Sequence, residues 1–156
     1  MVWYLVHTYE DVLKKLIDDC RKMMPNEAVG YLVGDIYQWK GRKWLEIVGF
    51  IPAPIQEADR YHAIVDKSRM GEVIKLLDEY YPDKIVVGWY HSHPGHGLFL
   101  SDLDIRSHQA VFGKSLHVAL VVDPTTQPPS YAFFLLTKNG YRRASYIVWR
   151  RLQYER

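Results

Sequence analysis

Apolar residues recur at helical spacing between positions 9 and 24, with polar residues between them. Every third or fourth position is apolar, which is the period of a helix that buries one face. Thr8 stands where a helix N-cap is expected, with Asp11 three residues on, and Pro25-Asn26 ends the pattern. The buried face of this predicted helix consists of Val12, Leu13, Leu16, Ile17 and Cys20.

Two further segments have the same period. The first begins after Ser68, the predicted N-cap, and ends at residues 81–83, Tyr-Pro-Asp. Its predicted apolar face consists of Met70, Val73, Ile74 and Leu77. The second runs from Ser101 to about residue 112. The pattern therefore predicts roughly three helices.

Short β-rich segments lie between these helices. Predicted strands occupy residues 3–7, 28–34, 44–50, 61–65, 84–90, 116–122, 131–137 and 141–149. Lys40-Gly41 and Asn139-Gly140 are turn sequences, and the second predicts a hairpin between the last two strands. The proline-bordered segment 52–60 is expected to be a loop, and the charged tail 150–156 a solvated end. The sum is an α/β fold with a mixed, curved β-sheet flanked by about three helices.

Composition narrows the class of protein. The chain has 156 residues, 48% of them apolar and 24% charged, which is an ordinary globular balance for one domain spanning 1–156. A formal net charge of +2 indicates neither nucleic acid nor an anionic membrane as partner. The single cysteine, Cys20, cannot form an internal disulfide, which favours a reducing compartment. With no signal-peptide pattern and no apolar run of about 18 residues, we expect a soluble cytoplasmic protein.

The segment 91–104, HSHPGHGLFLSDLD, carries the candidate chemistry. His91 and His93 lie two apart at a strand end, so both side chains point to the same face. A loop with Gly95 and Gly97 then leads to a helix whose first turn presents Asp104. Two imidazoles and one carboxylate suit a borderline divalent metal and leave a fourth position for water.

Each part of this pattern also has a purely structural interpretation. A His-x-His pair in a strand is often a hydrogen-bonded polar pair, and Ser101 to Asp104 is also a helix-capping arrangement that needs no metal. The coincidence of the parts at a strand end, a loop and a helix start favours the metal site. His96 is expected to be a solvated loop histidine. Structural roles are expected for Ser92, Trp89, Tyr90, His7, His62, His108 and His117, and Asp102 is expected to favour the helix N-terminus.

The spacing H-S-H, seven residues, then S-D-L-D resembles the JAMM signature, H-[ST]-H-x7-S-x-x-D, of MPN-domain metallopeptidases. The family also has a glutamate where the first helix gives way to a strand, and Glu27 lies there. The words VVGWY before the histidines and VVDP after the helix are similar as well, closest to the proteasome-lid deubiquitinase branch. The resemblance implies a single MPN+ domain with the MPN/JAB1, cytidine-deaminase-like sandwich fold.

The resemblance further implies a zinc isopeptidase that cleaves the bond between the C-terminus of ubiquitin or a ubiquitin-like protein and a lysine. In that mechanism His91, His93 and Asp104 bind Zn²⁺, Glu27 handles the proton, and Ser101 donates to the oxygen that gains charge. The modifier tail would add as a strand along segment 55–65, and segment 123–130 corresponds to a second, short family insertion. A proteasome-like or other assembly is an expected partner.

Two alternatives remain open on the sequence. The enzyme could process the C-terminus of a ubiquitin-like or sulfur-carrier precursor instead of a lysine conjugate. The chain could also be a non-catalytic MPN scaffold subunit, although all five motif positions are filled. Zinc analysis separates the scaffold from the enzyme, and comparing a linear fusion with an isopeptide conjugate separates the two activities.

Overall fold

A computed structural model describes residues 3–113 and 116–151. Within them the strands are β1 (Val6–Tyr9), β2 (Val29–Trp39), β3 (Arg42–Pro52), β4 (Ile55–Ala58), β5 (Ala63–Val65), β6 (Ile85–Ser92), β7 (Val118–Asp123), β8 (Ser130–Thr137), β9 (Gly140–Arg143) and β10 (Tyr146–Trp149). The α-helices are α1 (Glu10–Met23), α2 (Met70–Tyr80) and α3 (Asp102–Phe112).

Eight of these strands form one sheet in the order β10-β1-β3-β2-β6-β7-β8-β9, and β4 and β5 form a separate two-stranded sheet. The pairs β1/β10, β1/β3 and β6/β7 are parallel and the other pairs of the large sheet are antiparallel. The predicted mixed sheet with three helices is therefore confirmed. None of the described helices is long and apolar enough to cross a membrane.

The central strand β7 shows how the sheet separates two cores. Its side chains alternate between the faces, as strand geometry requires. Val118, Leu120 and Val122 pack in the core that contains the buried face of α1. Ala119 and Val121 pack in a second core on the opposite face, beside Ile105 of α3. A strand buried on both faces explains the continuous apolar run in this part of the sequence.

A close approach of β6 and β7 fixes the strand that carries the two histidines. A Cβ atom at Gly88 would lie only 2.1 Å from the carbonyl oxygen of Val118, so only glycine fits there without displacing backbone. The two strands stay in parallel register from Gly88 to Ser92. The end of β6 is thus anchored to the centre of the sheet.

Two predicted N-caps were wrong. Thr8 lies in β1, and its hydroxyl donates to the carbonyl of Ile47 at 3.2 Å, so α1 begins after Tyr9 without a side-chain cap. Ser68 lies inside a short 3₁₀ turn, Lys67–Arg69, that precedes α2. Asp66 caps that turn, because its carboxylate accepts from both the backbone N–H and the hydroxyl of Ser68.

Two segments and one side chain also differ from the sequence-based prediction. Residues 55–58, expected to be a loop, form β4 and pair with β5. The last predicted strand, 141–149, is two strands, because the chain bends at Ala144-Ser145 and β10 pairs with β1 at the other edge of the sheet. Ile74 on α2 is 59% exposed, whereas Val73 is buried. Arg150 is exposed as predicted, and residues 152–156 of the tail lie outside the described part of the chain.

Candidate metal centre

The two histidines occupy the end of β6 and the position just beyond it. His91 pairs in register with Val121 of β7, and the backbone N–H of His93 donates to the carbonyl of Val122 at 2.8 Å. The ladder therefore continues through both histidines. His91 is 1% exposed and His93 6% exposed. Their rings lie edge to face, with centroids 4.5 Å apart.

Asp104 reaches the histidines from the first turn of α3. A capping box holds it: the Ser101 hydroxyl oxygen accepts from the Asp104 N–H at 3.1 Å, and Asp104 Oδ2 accepts from the Ser101 N–H at 2.9 Å. The same Oδ2 lies 3.1 Å from His91 Nε2 and 3.4 Å from His93 Nε2. The capping arrangement expected from the S-x-x-D motif is therefore present, and the same carboxylate oxygen also faces the two histidines.

Glu27 lies just before β2, the strand that pairs with β6. Ser92 anchors this segment, since its backbone N–H donates to the Ala28 carbonyl and its hydroxyl accepts from the Ala28 N–H at 2.8 Å. The expected packing role of Ser92 agrees with these contacts. The backbone N–H of Glu27 donates to the Asp59 carbonyl at 2.7 Å, which ties Glu27 to the loop between β4 and β5.

The four side chains meet at one point. Glu27, His91, His93 and Asp104 each offer a ligand atom, and these atoms all lie within 4.8 Å of one another. Two donors that each lie about 2.05 Å from a tetrahedral zinc ion are about 3.3 Å apart. The His91–Asp104 and His93–Asp104 separations of 3.1 and 3.4 Å fit this spacing. Two histidines and a carboxylate, with a second acid adjacent, are a donor set that suits zinc.

Burial and neighbouring charge set the protonation of the site. Burial, followed by the charges of Asp104 and Asp59, raises the pKa of Glu27 to about 8. Burial also disfavours the ionised form of Asp104, but hydrogen bonds from His91 and His93 hold its pKa well below the usual range. Burial lowers the pKa of His91, which favours the neutral imidazole that can bind a metal.

A cleft of about 970 Å³ opens over the cluster. Glu27, Ser101 and the three candidate ligands lie in its wall. Apolar side chains from β2, β5 and α3 line the rest, among them Val29, Tyr31, Ile64, Val65, Leu103 and Val111. The site therefore combines a polar, metal-suited end with an apolar groove.

The remaining histidines divide between the cleft and the body of the protein. His96 is exposed, as expected, but it lines the cleft and contacts the Tyr61 ring at 5.1 Å between centroids. His62 also lines the cleft and lies 3.1 Å from Asp59. Tyr61 was not singled out from the sequence and His62 was expected to be structural, because their link to the cleft depends on how the hairpin folds back. His108 accepts a hydrogen bond from the Trp89 indole, and His7 accepts one from Trp149.

The fold and this cluster define a class of protein, an α/β domain with a buried group of two histidines and two acids that could hold a metal ion. Residues 4–113 match the family model described as JAB1/Mov34/MPN/PAD-1 ubiquitin protease. The chain belongs to this family. The resemblance to the JAMM/MPN+ proteins noted from the sequence is therefore confirmed.

Curated relatives place the chain near the proteasome-lid branch. It is 28% identical over 120 residues to 26S proteasome non-ATPase regulatory subunit 14 of Dictyostelium discoideum, covering 76% of this chain and 38% of the relative. It is 31% identical over 115 residues to 26S proteasome regulatory subunit RPN11 of Eremothecium gossypii, covering 72% and 35%. Ubiquitin carboxyl-terminal hydrolase RPN11 of Saccharomyces cerevisiae is 30% identical over 113 residues, covering 72% and 36%. The chain thus spans little more than a third of the length of these relatives.

A solved structure has the same fold. The solution structure of protein DSY2949 from Desulfitobacterium hafniense superposes with a TM-score of 0.72 and covers 95% of each chain. The two sequences are 23% identical. This likeness concerns the fold alone.

Proposed function

We propose that this chain is a zinc-dependent isopeptidase that hydrolyses the amide bond between the C-terminus of ubiquitin or a ubiquitin-like protein and a lysine. One observation carries the proposal: in a chain of this family, Glu27, His91, His93 and Asp104 place four donor atoms within 4.8 Å of one another. The yeast relative is named ubiquitin carboxyl-terminal hydrolase RPN11, which supports this choice of substrate class.

His91, His93 and Asp104 would hold the metal, which when bound supplies a Lewis acid for the scissile carbonyl and lowers the pKa of water. Glu27 accepts a proton from the attacking water and returns it to the leaving amine. Its raised pKa, about 8 in the metal-free site, indicates a carboxyl group that holds and releases a proton in the neutral range.

Ser101 is proposed to stabilise the carbonyl oxygen as that oxygen gains charge. Its hydroxyl oxygen accepts from the Asp104 N–H, and a hydroxyl can donate its own hydrogen at the same time. Because the capping box fixes the Ser101 backbone, the hydroxyl is held at the mouth of the metal cluster without a further partner having to order it.

The tail of the modifier would lie along β5. This strand pairs with β4 among the described strands, and its residues line the cleft, so its other edge is available to an extended peptide. Backbone hydrogen bonds along such an edge bind a thin tail with little demand on its sequence. Association with a proteasome-like assembly belongs to the same proposal and rests on the names of the relatives.

The test compares two substrates and two variants. Zinc-loaded protein is incubated with an isopeptide-linked ubiquitin conjugate and with a linear ubiquitin fusion. Cleavage of the conjugate supports the proposal, cleavage of the fusion alone supports precursor processing, and cleavage of neither overturns the enzymatic assignment in favour of a scaffold. Glu27→Gln is expected to retain zinc but lose about 10²–10⁴ in turnover, because an amide cannot accept the proton. Glu79→Gln, which changes an exposed glutamate of α2 outside the cleft lining, is the matched control.

A further inference from the structure

The plane of the His91 ring is held in an unusual way. A metal-binding histidine ordinarily donates from its second ring nitrogen to a carboxylate or carbonyl, which fixes the orientation of the ring. His91 Nε2 faces Asp104, but its buried Nδ1 has no hydrogen-bond partner among residues 3–113 and 116–151. Another contact must orient this imidazole.

Trp89 supplies that contact. It lies two residues before His91 on β6, so the two side chains share a face of the sheet. Their rings are stacked, with centroids 4.4 Å apart and planes inclined by 10°. A flat indole against the imidazole restricts rotation of the ring out of its plane while leaving Nε2 aimed at Asp104.

His108 in turn fixes the indole. Trp89 Nε1 donates to His108 Nδ1 at 3.0 Å in a buried contact, and His108 is 2% exposed. An indole N–H only donates, so Nδ1 of His108 must be the unprotonated nitrogen. His108 belongs to α3, the same helix that presents Asp104. The contact therefore connects the two elements that bring the ligands together.

We propose that Trp89 and His108 are positioning residues that orient His91 for metal binding. The chain His108–Trp89–His91 replaces the missing hydrogen bond at His91 Nδ1 with a hydrogen-bonded, stacked indole. This proposal rests on the proposed metal site and concerns its affinity and geometry, which can be measured without any substrate.

The chain contains its own control. Trp149 Nε1 donates to His7 Nδ1 at 3.1 Å, a bond of the same type between β10 and β1 at the exposed edge of the sheet. This pair lies outside the cleft lining. Breaking it removes a Trp–His hydrogen bond of nearly the same length without touching a candidate ligand.

The experiment measures zinc affinity by competition with a chromophoric chelator, and the visible spectrum of the cobalt-substituted protein. Trp89→Phe and His108→Leu are each expected to weaken zinc binding roughly tenfold and to shift the cobalt bands, in the range of other residues that orient metal ligands. His108→Gln, whose amide oxygen accepts the indole N–H, is expected to restore affinity to within about threefold of the original. Trp149→Phe and His7→Leu should change neither quantity.

Circular dichroism establishes that each variant is folded. If His108→Leu does not fold, Trp89→Phe decides, because it keeps an aromatic ring beside His91 but loses the donor and part of the stacked area. Unchanged affinity and cobalt spectrum in folded Trp89→Phe overturn the proposal, as does an equal loss in Trp149→Phe. Failure of the original chain to bind zinc or cobalt at all contradicts the proposed function instead, so the two failures are distinguishable.

Discussion

The cleft lies between two walls that are built differently. The metal wall consists of residues 91–93 at the end of β6 and 101–104 at the start of α3. The substrate wall is the β4–β5 hairpin, residues 55–65. In the metal wall His91, His93 and Asp104 are 1%, 6% and 9% exposed. In the substrate wall Ile64 is 43% and Tyr61 69% exposed.

Hydrogen bonds also hold the metal wall more firmly than the substrate wall. Sheet pairing with β7 and a capping box fix the metal wall. The substrate wall is a two-stranded ribbon whose base is closed by the hydrogen bond from the Asp66 N–H to the Pro54 carbonyl. The Glu27 N–H joins its tip to the rest of the protein by donating to the Asp59 carbonyl. An isolated pair of strands is marginally stable on its own. The proposed chemistry therefore lies where hydrogen bonds constrain the backbone most, and the proposed substrate contacts lie where a substitution costs the fold least.

The largest expected effect comes from removing a donor from the metal wall. His91→Ala leaves two of the three proposed ligands, so we expect both zinc content and isopeptidase activity to be lost. Metal analysis of the purified variant measures the first and conjugate cleavage the second. His96→Ala, an exposed cleft histidine outside the cluster, is expected to keep its zinc. Full zinc occupancy in His91→Ala would mean that a different ligand set binds the metal.

The next effect separates the two roles of the capping box. Ser101→Ala removes the proposed oxyanion donor and the cap of α3 together, so turnover should fall by about 10²–10³ and the free energy of unfolding by about 1 kcal/mol. Steady-state kinetics and urea unfolding measure the two losses. Ser107→Ala, which changes another serine in the cleft lining, is the control. A loss of stability with unchanged turnover would restrict Ser101 to its structural role.

A third effect appears in the pH dependence of the metal-free protein. Glu27 has a pKa of about 8 in the fold and 4.5 in its ordinary state, so the folded protein holds this proton more tightly. Its contribution to stability is therefore complete below about pH 4.5 and is lost as pH rises toward 8. Burial lowers the pKa values of His91 and His108, so these two groups make the protein more stable as pH rises. Their effect is confined to the range below their ordinary pKa of 6.5.

Between pH 6.5 and 8 the free energy of unfolding should therefore fall as pH rises. The slope against pH should correspond to a difference of up to roughly one bound proton between the folded and unfolded protein. Urea unfolding in the presence of a chelator measures this slope. Glu27→Gln should abolish it, while Glu79→Gln should preserve it. A slope that survives in Glu27→Gln would show that another group titrates in this range.

The smallest expected effect concerns a residue of the cleft lining just beyond the substrate wall. Lys67 follows β5, is exposed, and lines the cleft, so it should favour acidic over basic side chains in the bound tail. Lys67→Glu is expected to shift this preference by about twofold to fivefold, which is the effect of one exposed charge contact. It should not change the zinc content. Cleavage of paired model substrates with acidic or basic tails measures it. Lys75→Glu on α2, outside the cleft lining, should leave the preference unchanged.

Local sequence patterns predicted much of the fold, and they predicted that the histidines and Asp104 would lie close together. The apolar face of α1 follows directly from helical spacing, and the shared face of His91 and His93 follows from strand geometry. The cap at Thr8 failed because its hydroxyl bonds to Ile47 in a distant strand. The Trp89–His108 contact was missed for the same reason: it joins a strand to a helix, and no sequence spacing encodes it.

One carboxylate oxygen of Asp104 both closes the first turn of α3 and faces the two histidines. Selection for a well-formed helix would preserve this aspartate even in a lineage that had abandoned catalysis. An aspartate here is thus poor evidence of activity when sequences of the family are compared. The histidine pair is the more informative marker, because its side-chain hydrogen bonds go to Asp104 itself and the buried Nδ1 atoms of both rings form none within the described residues.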